Sequence, residues 1–373
     1  MNIAVNTRLL LKNKLDGIGW FSYETLKRIT KNHPEHQFYF IFDRQFDQEF
    51  IFSNNIKPFI TGPQARHPVL WYLFFEFGIP KTLKKIKADI FLSPDGWLSL
   101  KTDIPSIPVI HDLNFNHFPE FLPWHIRKYY LTYFPKFAKK AVRIATVSEF
   151  SKNDIVQSYN IDKNKIDVVY NGANINYLPV TEEKKQKIRD KYTQGKPYFL
   201  FIGTIHPRKN LKNLLLAFDK LKSTTDSNTK LLVVGEKKWW TKDLDEAYKS
   251  ISCKDDVIFL GRVNETELTD IIPSALALTY PSFFEGFGIP ILEAFYCKVP
   301  VLTSQSSSMP EVGGDAAIYV NPASIDSICN GLIKISMDKN IRNNLITKGE
   351  EQKNKFSWDK SANNLWQCIE KAF

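Results

Sequence analysis

Residues 198–222 read YFLFIGTIHPRKNLKNLLLAFDKLK. The apolar run Tyr198–Gly203 predicts a buried strand, with Gly203 and Thr204 ending it. Leu211, Leu214, Leu215, Phe218 and Leu221 recur at helical spacing and predict a helix over Leu211–Lys222. Arg208 and Lys209 fall between the two, at the expected helix N-terminus. A strand that passes through a glycine turn into an amphipathic helix is half of a βαβ unit, and βαβ units build parallel sheets.

The same rhythm extends in both directions. Further strands are expected at Asn2–Asn6, Phe38–Phe42, Asp89–Ser93, Pro108–His111, Ile144–Val147 and Asp167–Tyr170 in the first half. In the second half they are expected at Lys230–Gly235, Asp256–Gly261, Leu276–Tyr280 and Val299–Thr303. The fold class is therefore α/β, with two parallel sheets covered by helices. The boundary falls in residues 172–196, where an Asn171-Gly172 turn precedes a charged helix, Glu182–Lys191, and Gly195-Lys196-Pro197. This divides the chain into residues 1–175 and 176–355. The C-terminal segment Phe356–Phe373 carries Trp358, Leu365, Trp366 and Ile369, and a helix that apolar needs a partner surface.

Composition narrows the class. A chain of 373 residues, 43% hydrophobic and 24% charged, is long enough for two cores and too apolar for disorder. No run approaches ~18 apolar residues, so no membrane-spanning helix is expected. The N-terminus reads as a strand followed by a glycine turn rather than a signal peptide, which points to the cytoplasm. Cys253, Cys297, Cys329 and Cys368 have no metal-clip spacing and are expected to be reduced. The net charge of +10 is uneven: residues 1–175 hold 23 Lys/Arg against 16 Asp/Glu. Such a field attracts anions of several kinds, or is simply a soluble surface. The basic stretches lack any zinc, RRM or helix-turn-helix signature, so no nucleic-acid partner is expected.

Two segments carry the chemistry. Residues 281–293, PSFFEGFGIPILE, hold Glu285 and Glu293 around a glycine turn at Gly286 and Gly288. Pro290 suits a first helical turn, which puts Glu285 in a loop and Glu293 one turn into a helix. The free N–H groups of that turn form an anion site, while carboxylates accept hydrogen bonds from sugar hydroxyls. The plain alternative is a helix cap at Glu285 and a surface residue at Glu293. In residues 201–210, Arg208 and Lys209 beside a helix start suit a diphosphate; the alternative is a solvated basic turn. The D-x-D spacing of Asp243 and Asp245, read as a charged loop, is not taken as a metal site, and no cofactor motif is present. Ser148 reads as a helix N-cap.

Together these segments resemble the retaining glycosyltransferases of family 4, which have the GT-B fold. The resemblance rests on Gly203–Asn210 and Glu285–Glu293, and in order on Gly17-Ile-Gly19, Val109–Leu113, Thr146–Ser151, Tyr170–Gly172 and Met309–Asp315. It covers most of the chain, and the joint order is far more specific than any single motif. It implies two Rossmann-like domains with parallel sheets facing across a cleft. The N-terminal domain would take the acceptor, the C-terminal domain would take the nucleotide sugar, and residues 356–373 would complete the first. By that resemblance Glu285 would contact hydroxyls of the donor sugar and Glu293 the ribose. Arg208 and Lys209 would neutralise the leaving diphosphate. Gly17 and Gly19 would let backbone approach phosphates and acceptor, and His111 would face the sugar ring. Gly203, Thr204, Gly286, Phe287 and Gly288 would complete the substrate-binding set. His206, where relatives often have Glu, and Lys298, where they often have Gly, depart from the pattern.

The resemblance thus implies metal-independent retaining transfer from a nucleotide sugar, GDP-mannose first, to a glycan or lipid-linked acceptor in surface polysaccharide assembly. The alternatives are an epimerase of the same fold and a non-catalytic nucleotide-sugar-binding protein. One feature of composition adds a partner. Residues 68–80, PVLWYLFFEFGIP, are followed by Lys81, Lys84, Lys85 and Lys87, and residues 121–148 contain six cations and no acid. Aromatics beside cations suit an anionic membrane surface, with a buried helix as the alternative.

Overall fold

The computed structural model describes residues 1–174 and 176–373. Ile175, the last residue of the first domain as read from the sequence, lies outside the described residues. The chain forms two compact units, Met1–Asn171 with Ser357–Phe373, and Gly172–Phe356.

In the first unit the strands are β1 (Asn2–Asn6), β2 (Gln37–Phe42), β3 (Ile56–Ile60), β4 (Ile90–Ser93) and β5 (Ser106–Pro108). They form one parallel sheet in the order β3-β2-β1-β4-β5. A parallel pair, β6 (Ile144–Thr146) and β7 (Ile166–Val168), joins β5 through a bridge from Val109 to Ala145. The C-terminal helix Trp358–Glu370 buries Leu365, Trp366 and Ile369 in this unit. Arg28 Nε reaches Asp359 at 2.6 Å, and Trp366 stacks on His33 with ring centroids 3.6 Å apart.

In the second unit β8 (Tyr198–Ile202), β9 (Lys230–Val234), β10 (Val257–Gly261), β11 (Ala277–Tyr280), β12 (Val301–Ser304) and β13 (Ala317–Val320) form a parallel sheet. Its order is β10-β9-β8-β11-β12-β13. Every residue of β8 and β11 is buried, because helices cover both faces and the central strands meet no water. The helix Leu211–Thr224 lays Leu214, Leu215, Phe218 and Leu221 on that sheet.

The α/β class stands, with corrections. β3 and β13 were not expected. Both are edge strands, and Pro58 within β3 is tolerated only at an edge, where its missing N–H breaks no ladder. β5 ends at Pro108, so His111 does not end a strand but lies three residues beyond it. Gly17 and Gly19 are not in a loop: the helix Gly17–Asn32 starts at Gly17, with Asp16 as its N-cap accepting from Gly19 N at 2.9 Å. Arg208 and Lys209 lie in a 3₁₀ turn, Pro207–Lys209, ahead of the helix that starts at Leu211. Asp243 and Asp245 lie in the helix Lys242–Ser250 rather than a loop.

Residues 68–80 are divided between interior and surface. The helix Pro68–Leu73 runs through a π-helical turn, Phe74–Gly78, into the helix Ile79–Ile86. Trp71, Phe74, Phe75 and Ile79 join the aromatic core. Val69 and Phe77 are 63% and 52% exposed, and Trp124, at the start of the helix Trp124–Lys140, is 72% exposed.

Candidate donor site and family

Three glycines with positive φ end adjacent strands of the second unit: Gly203 after β8, Gly235 after β9, and Gly261 in β10. The approach is tightest at Gly235, where an added Cβ would stand 1.9 Å from the carbonyl oxygen of Gly203. This brings the turn after β8 down onto the sheet edge and leaves Lys209 beside the end of β11. Open α/β sheets bind their ligands at this carboxyl edge.

There the structure gathers Arg208, Lys209 and Glu285. Arg208 Nη1 lies 2.5 Å from Glu285 Oε2, and Lys209 Nζ donates to Glu285 Oε1 at 2.8 Å. Ser282 Oγ donates to the same oxygen at 3.1 Å. Arg208 Nη1 also donates to the Phe284 carbonyl at 2.9 Å. Glu285 is 7% exposed. Burial alone would raise its carboxyl, but Arg208 and Lys209 outweigh that and hold it down at about 2. It is an anion at any working pH, and with a charge count of one carboxylate against two cations the cluster has positive charge to offer.

The supporting contacts explain the local path. Asn210 adopts a left-handed conformation and donates through Nδ2 to Pro281 O at 3.0 Å and Pro322 O at 2.7 Å, which ties the basic turn to the Glu285 segment. Ser308 Oγ donates to the carbonyls of Glu285 and Phe287 at 2.8 and 2.9 Å. Gly288, at φ 112°, starts the helix Ile289–Tyr296, and Phe287 packs on Phe356. Gly286 is buried and Thr204 is exposed. His206 caps the basic turn through Nδ1, which accepts from Arg208 N at 3.2 Å. Burial, then Arg208 and Lys209, push its imidazole down to about 4, so it sits neutral beside the cations.

Glu293 lies on the helix Ile289–Tyr296, within hydrogen-bonding reach of Tyr177. Burial, then the charge of Glu265, push its carboxyl up to about 7, against the Tyr177 hydrogen bond. The folded value lies above the ordinary 4.5, so its stabilising contribution is complete below that pH and is lost as pH rises through 7. Glu285 runs the other way: its contribution is present above 4.5 and is lost as pH falls toward 2. Glu293→Gln is therefore expected to flatten the fall in melting temperature between about pH 5 and pH 8. An unchanged slope in calorimetric scans would count against this assignment.

In the first unit, His111 Nε2 donates to the Pro94 carbonyl at 2.8 Å, and its ring meets Phe21 edge-on. Burial lowers its pKa, so the imidazole is neutral and Nδ1 is an acceptor. A Cβ added at Gly17 would meet nothing within 4 Å, so the backbone there is open to approach. Asp95 lies beyond the end of β4 and holds Arg8 Nε at 2.5 Å and Asn6 Nδ2 at 2.8 Å. That network carried no sequence signal.

Two family models match the chain. Residues 15–177 match the model of Glycosyltransferase Family 4, and residues 182–352 match that of Glycosyl transferases group 1. Over 280 residues the chain is 30% identical to the O-antigen chain mannosyltransferase B of Escherichia coli, covering 74% of this chain and 73% of the relative. The chain belongs to the family 4 glycosyltransferases. The O-antigen chain mannosyltransferase RfbU of Salmonella typhimurium is 32% identical over 214 residues, 57% of this chain and 56% of its own. Among solved structures, the glycosyltransferase WaaG has a TM-score of 0.72 at 14% identity, covering 97% of this chain and 98% of its own. The Anabaena HepE complex with UDP-glucose has a TM-score of 0.75 at 15% identity over the whole of both chains. These likenesses give this glycosyltransferase the GT-B fold. Gly17, Gly19 and His111 lie in the first matched segment; Arg208, Lys209, Glu285 and Glu293 lie in the second.

The cluster also includes Tyr280, whose hydroxyl accepts from Lys209 Nζ at 2.7 Å, and Ser308, neither of which stands out in the sequence. Tyr280 was legible only as the last residue of a strand, and Ser308 only as part of a polar run. Nothing in either pattern marks a hydroxyl that reaches a residue far along the chain.

Proposed function

We propose that this glycosyltransferase moves a hexose with retention, without a metal, from a nucleotide-diphospho-sugar to a glycan or lipid-linked glycan in surface polysaccharide assembly. The observation that carries this is the buried cluster of Arg208, Lys209 and Glu285 at the carboxyl edge of the second sheet. The names of the relatives, O-antigen mannosyltransferases, make GDP-mannose the first donor to try. The second unit takes the donor and the first takes the acceptor.

In this reading the bond between the sugar C1 and phosphate oxygen breaks, and its electron pair goes to the leaving diphosphate. Arg208 and Lys209 meet that charge, and preorganised donors of this kind are each worth about 3–4 kcal/mol in the transition state. Glu285 binds sugar hydroxyls rather than attacking C1, because two cations lower the basicity of its carboxylate. The acceptor oxygen bonds to C1 on the face the diphosphate leaves, and a phosphate oxygen takes its proton. Glu293 binds the ribose, and neutral His111 accepts from a sugar hydroxyl through Nδ1. Gly17, Gly19, Gly203, Thr204, Gly286, Phe287 and Gly288 supply backbone close to the substrates. A panel of nucleotide sugars tested for thermal stabilisation checks the reading: the true donor, at ~100 times its dissociation constant, adds about 2.7 kcal/mol. No stabilisation by any member would overturn it. Transfer is expected to be undiminished by EDTA; loss restored by Mn²⁺ or Mg²⁺ would end the two-cation model.

We further propose that the first unit docks reversibly on an anionic membrane, as a cytoplasmic, peripheral protein. The exposed Val69, Leu73 and Phe77 recur every fourth residue, on one face, and Lys101 Nζ sits 3.8 Å from the centre of the Phe77 ring. Lys81, Lys84, Lys85 and Lys87 follow in sequence. No helix among the described residues is long and apolar enough to cross a membrane. Each cation near such a surface adds about 1 kcal/mol, screened by salt. The protein is expected to sediment with anionic liposomes at low salt and to be released at high salt. Failure to bind at low salt would leave Phe77 and its neighbours as ordinary surface.

A further inference from the structure

Lys209 is held by a residue outside the two charged motifs, Tyr280. Tyr280 ends β11, and its side chain is buried. Its hydroxyl accepts from Lys209 Nζ at 2.7 Å, and the centre of its ring lies 4.7 Å from the same nitrogen. The lysine stem reaches this point by crossing Gly203, where an added Cβ would stand 2.8 Å from Cε and 2.9 Å from Cδ. Gly203, the phenol of Tyr280 and the carboxylate of Glu285 together fix where the ammonium sits, and the phenol is itself within hydrogen-bonding reach of Glu285.

The two oxygen partners are not equivalent. Glu285 also binds Arg208, and its carboxylate is the group read as turning to sugar hydroxyls. Tyr280 is buried and sits at the end of a central strand. Burial, then the charge of Glu285, holds its phenol protonated well above the ordinary range. It therefore takes one N–H of Lys209 without cancelling any of its charge, whereas Glu285 takes a second and pairs with that charge.

We propose that Tyr280 is a positioning residue for the donor diphosphate, acting through Lys209 by holding its ammonium at the carboxyl edge of the sheet. This rests on the reading of Lys209 as the diphosphate's partner.

The test is a double-mutant cycle in the full chain, with Tyr280→Phe and Lys209→Ala, read as affinity for GDP, UDP and inorganic pyrophosphate by calorimetry. Tyr280→Phe keeps the ring, so packing survives while the acceptor oxygen is lost. It is expected to weaken the tightest-binding of these probes about tenfold. In the Lys209→Ala background the same change is expected to cost nothing further, since the group it acts through is gone. Wild-type affinity in Tyr280→Phe overturns the proposal, and so does an equal loss in both backgrounds, which marks a merely structural effect. If Lys209→Ala itself binds like the wild type, or if the wild type binds none of the probes, the reading of Lys209 fails and the proposal falls with it.

Discussion

Turnover falls at least roughly 100-fold when Lys209 is replaced by alanine, and Glu285→Gln has a comparable effect. Lys209 Nζ is fixed between Tyr280 and Glu285, so its charge is already in place when charge develops on the diphosphate. Alanine removes that charge and leaves Glu285 paired with Arg208. The loss is expected in kcat as much as in KM, because the interaction strengthens in the transition state. Glu285→Gln is nearly isosteric and keeps an acceptor for one cation, but it removes the anion that orients both. Melting curves establish that each variant is folded before its rate is read. Near-wild-type turnover in either folded variant removes that residue from the mechanism.

The largest structural effect is expected at a glycine with no chemistry of its own. Gly235→Ala places a Cβ 1.9 Å from Gly203 O and 2.6 Å from Gly203 C, at φ 156°. Both neighbours are backbone and cannot rotate away, so the ends of β8 and β9 must separate. We expect destabilisation of about 3 kcal/mol or more, and a melting temperature lower by about 10 °C. Gly261→Ala separates the two possible causes. Gly261 has φ 70° but nothing within 4 Å of an added Cβ, so only backbone strain of about 1 kcal/mol is expected there. Equal effects at the two positions would show that φ, and not the close approach, dictates glycine at Gly235. Because the turn carrying Lys209 rests on this contact, Gly235→Ala is also expected to weaken nucleotide-sugar binding.

How far the sequence reaches depends on how local the cause is. The continuous apolar runs of β8, β9 and β11 and the helical spacing of Leu211–Leu221 are local properties, and they gave the α/β class and the sheet-and-helix rhythm. The charged residues were legible for the same reason, since Arg208, Lys209 and Glu285 each sit in a compact glycine-bearing segment. The edge strands β3 and β13 were not legible. One contains proline and the other is half-exposed, so what makes them strands is a neighbour in the sheet rather than their own pattern. The helix at Gly17 was missed because glycines spaced two apart look like a turn until Asp16 caps them.

The sequence by itself determined the class of fold and the family, because periodicity and motif order are written along the chain. It could not determine what the charged residues touch. Lys209 and Glu285 are 76 residues apart, and only the parallel order of β8 beside β11 brings them to 2.8 Å. The same adjacency gives Lys209 the phenol of Tyr280 and turns Glu285 into a strongly held anion, whereas Glu293, eight residues further on, keeps its proton near neutral pH. Two carboxylates of one motif acquire opposite behaviour because one is buried against cations and the other against Glu265. That difference exists only in three dimensions.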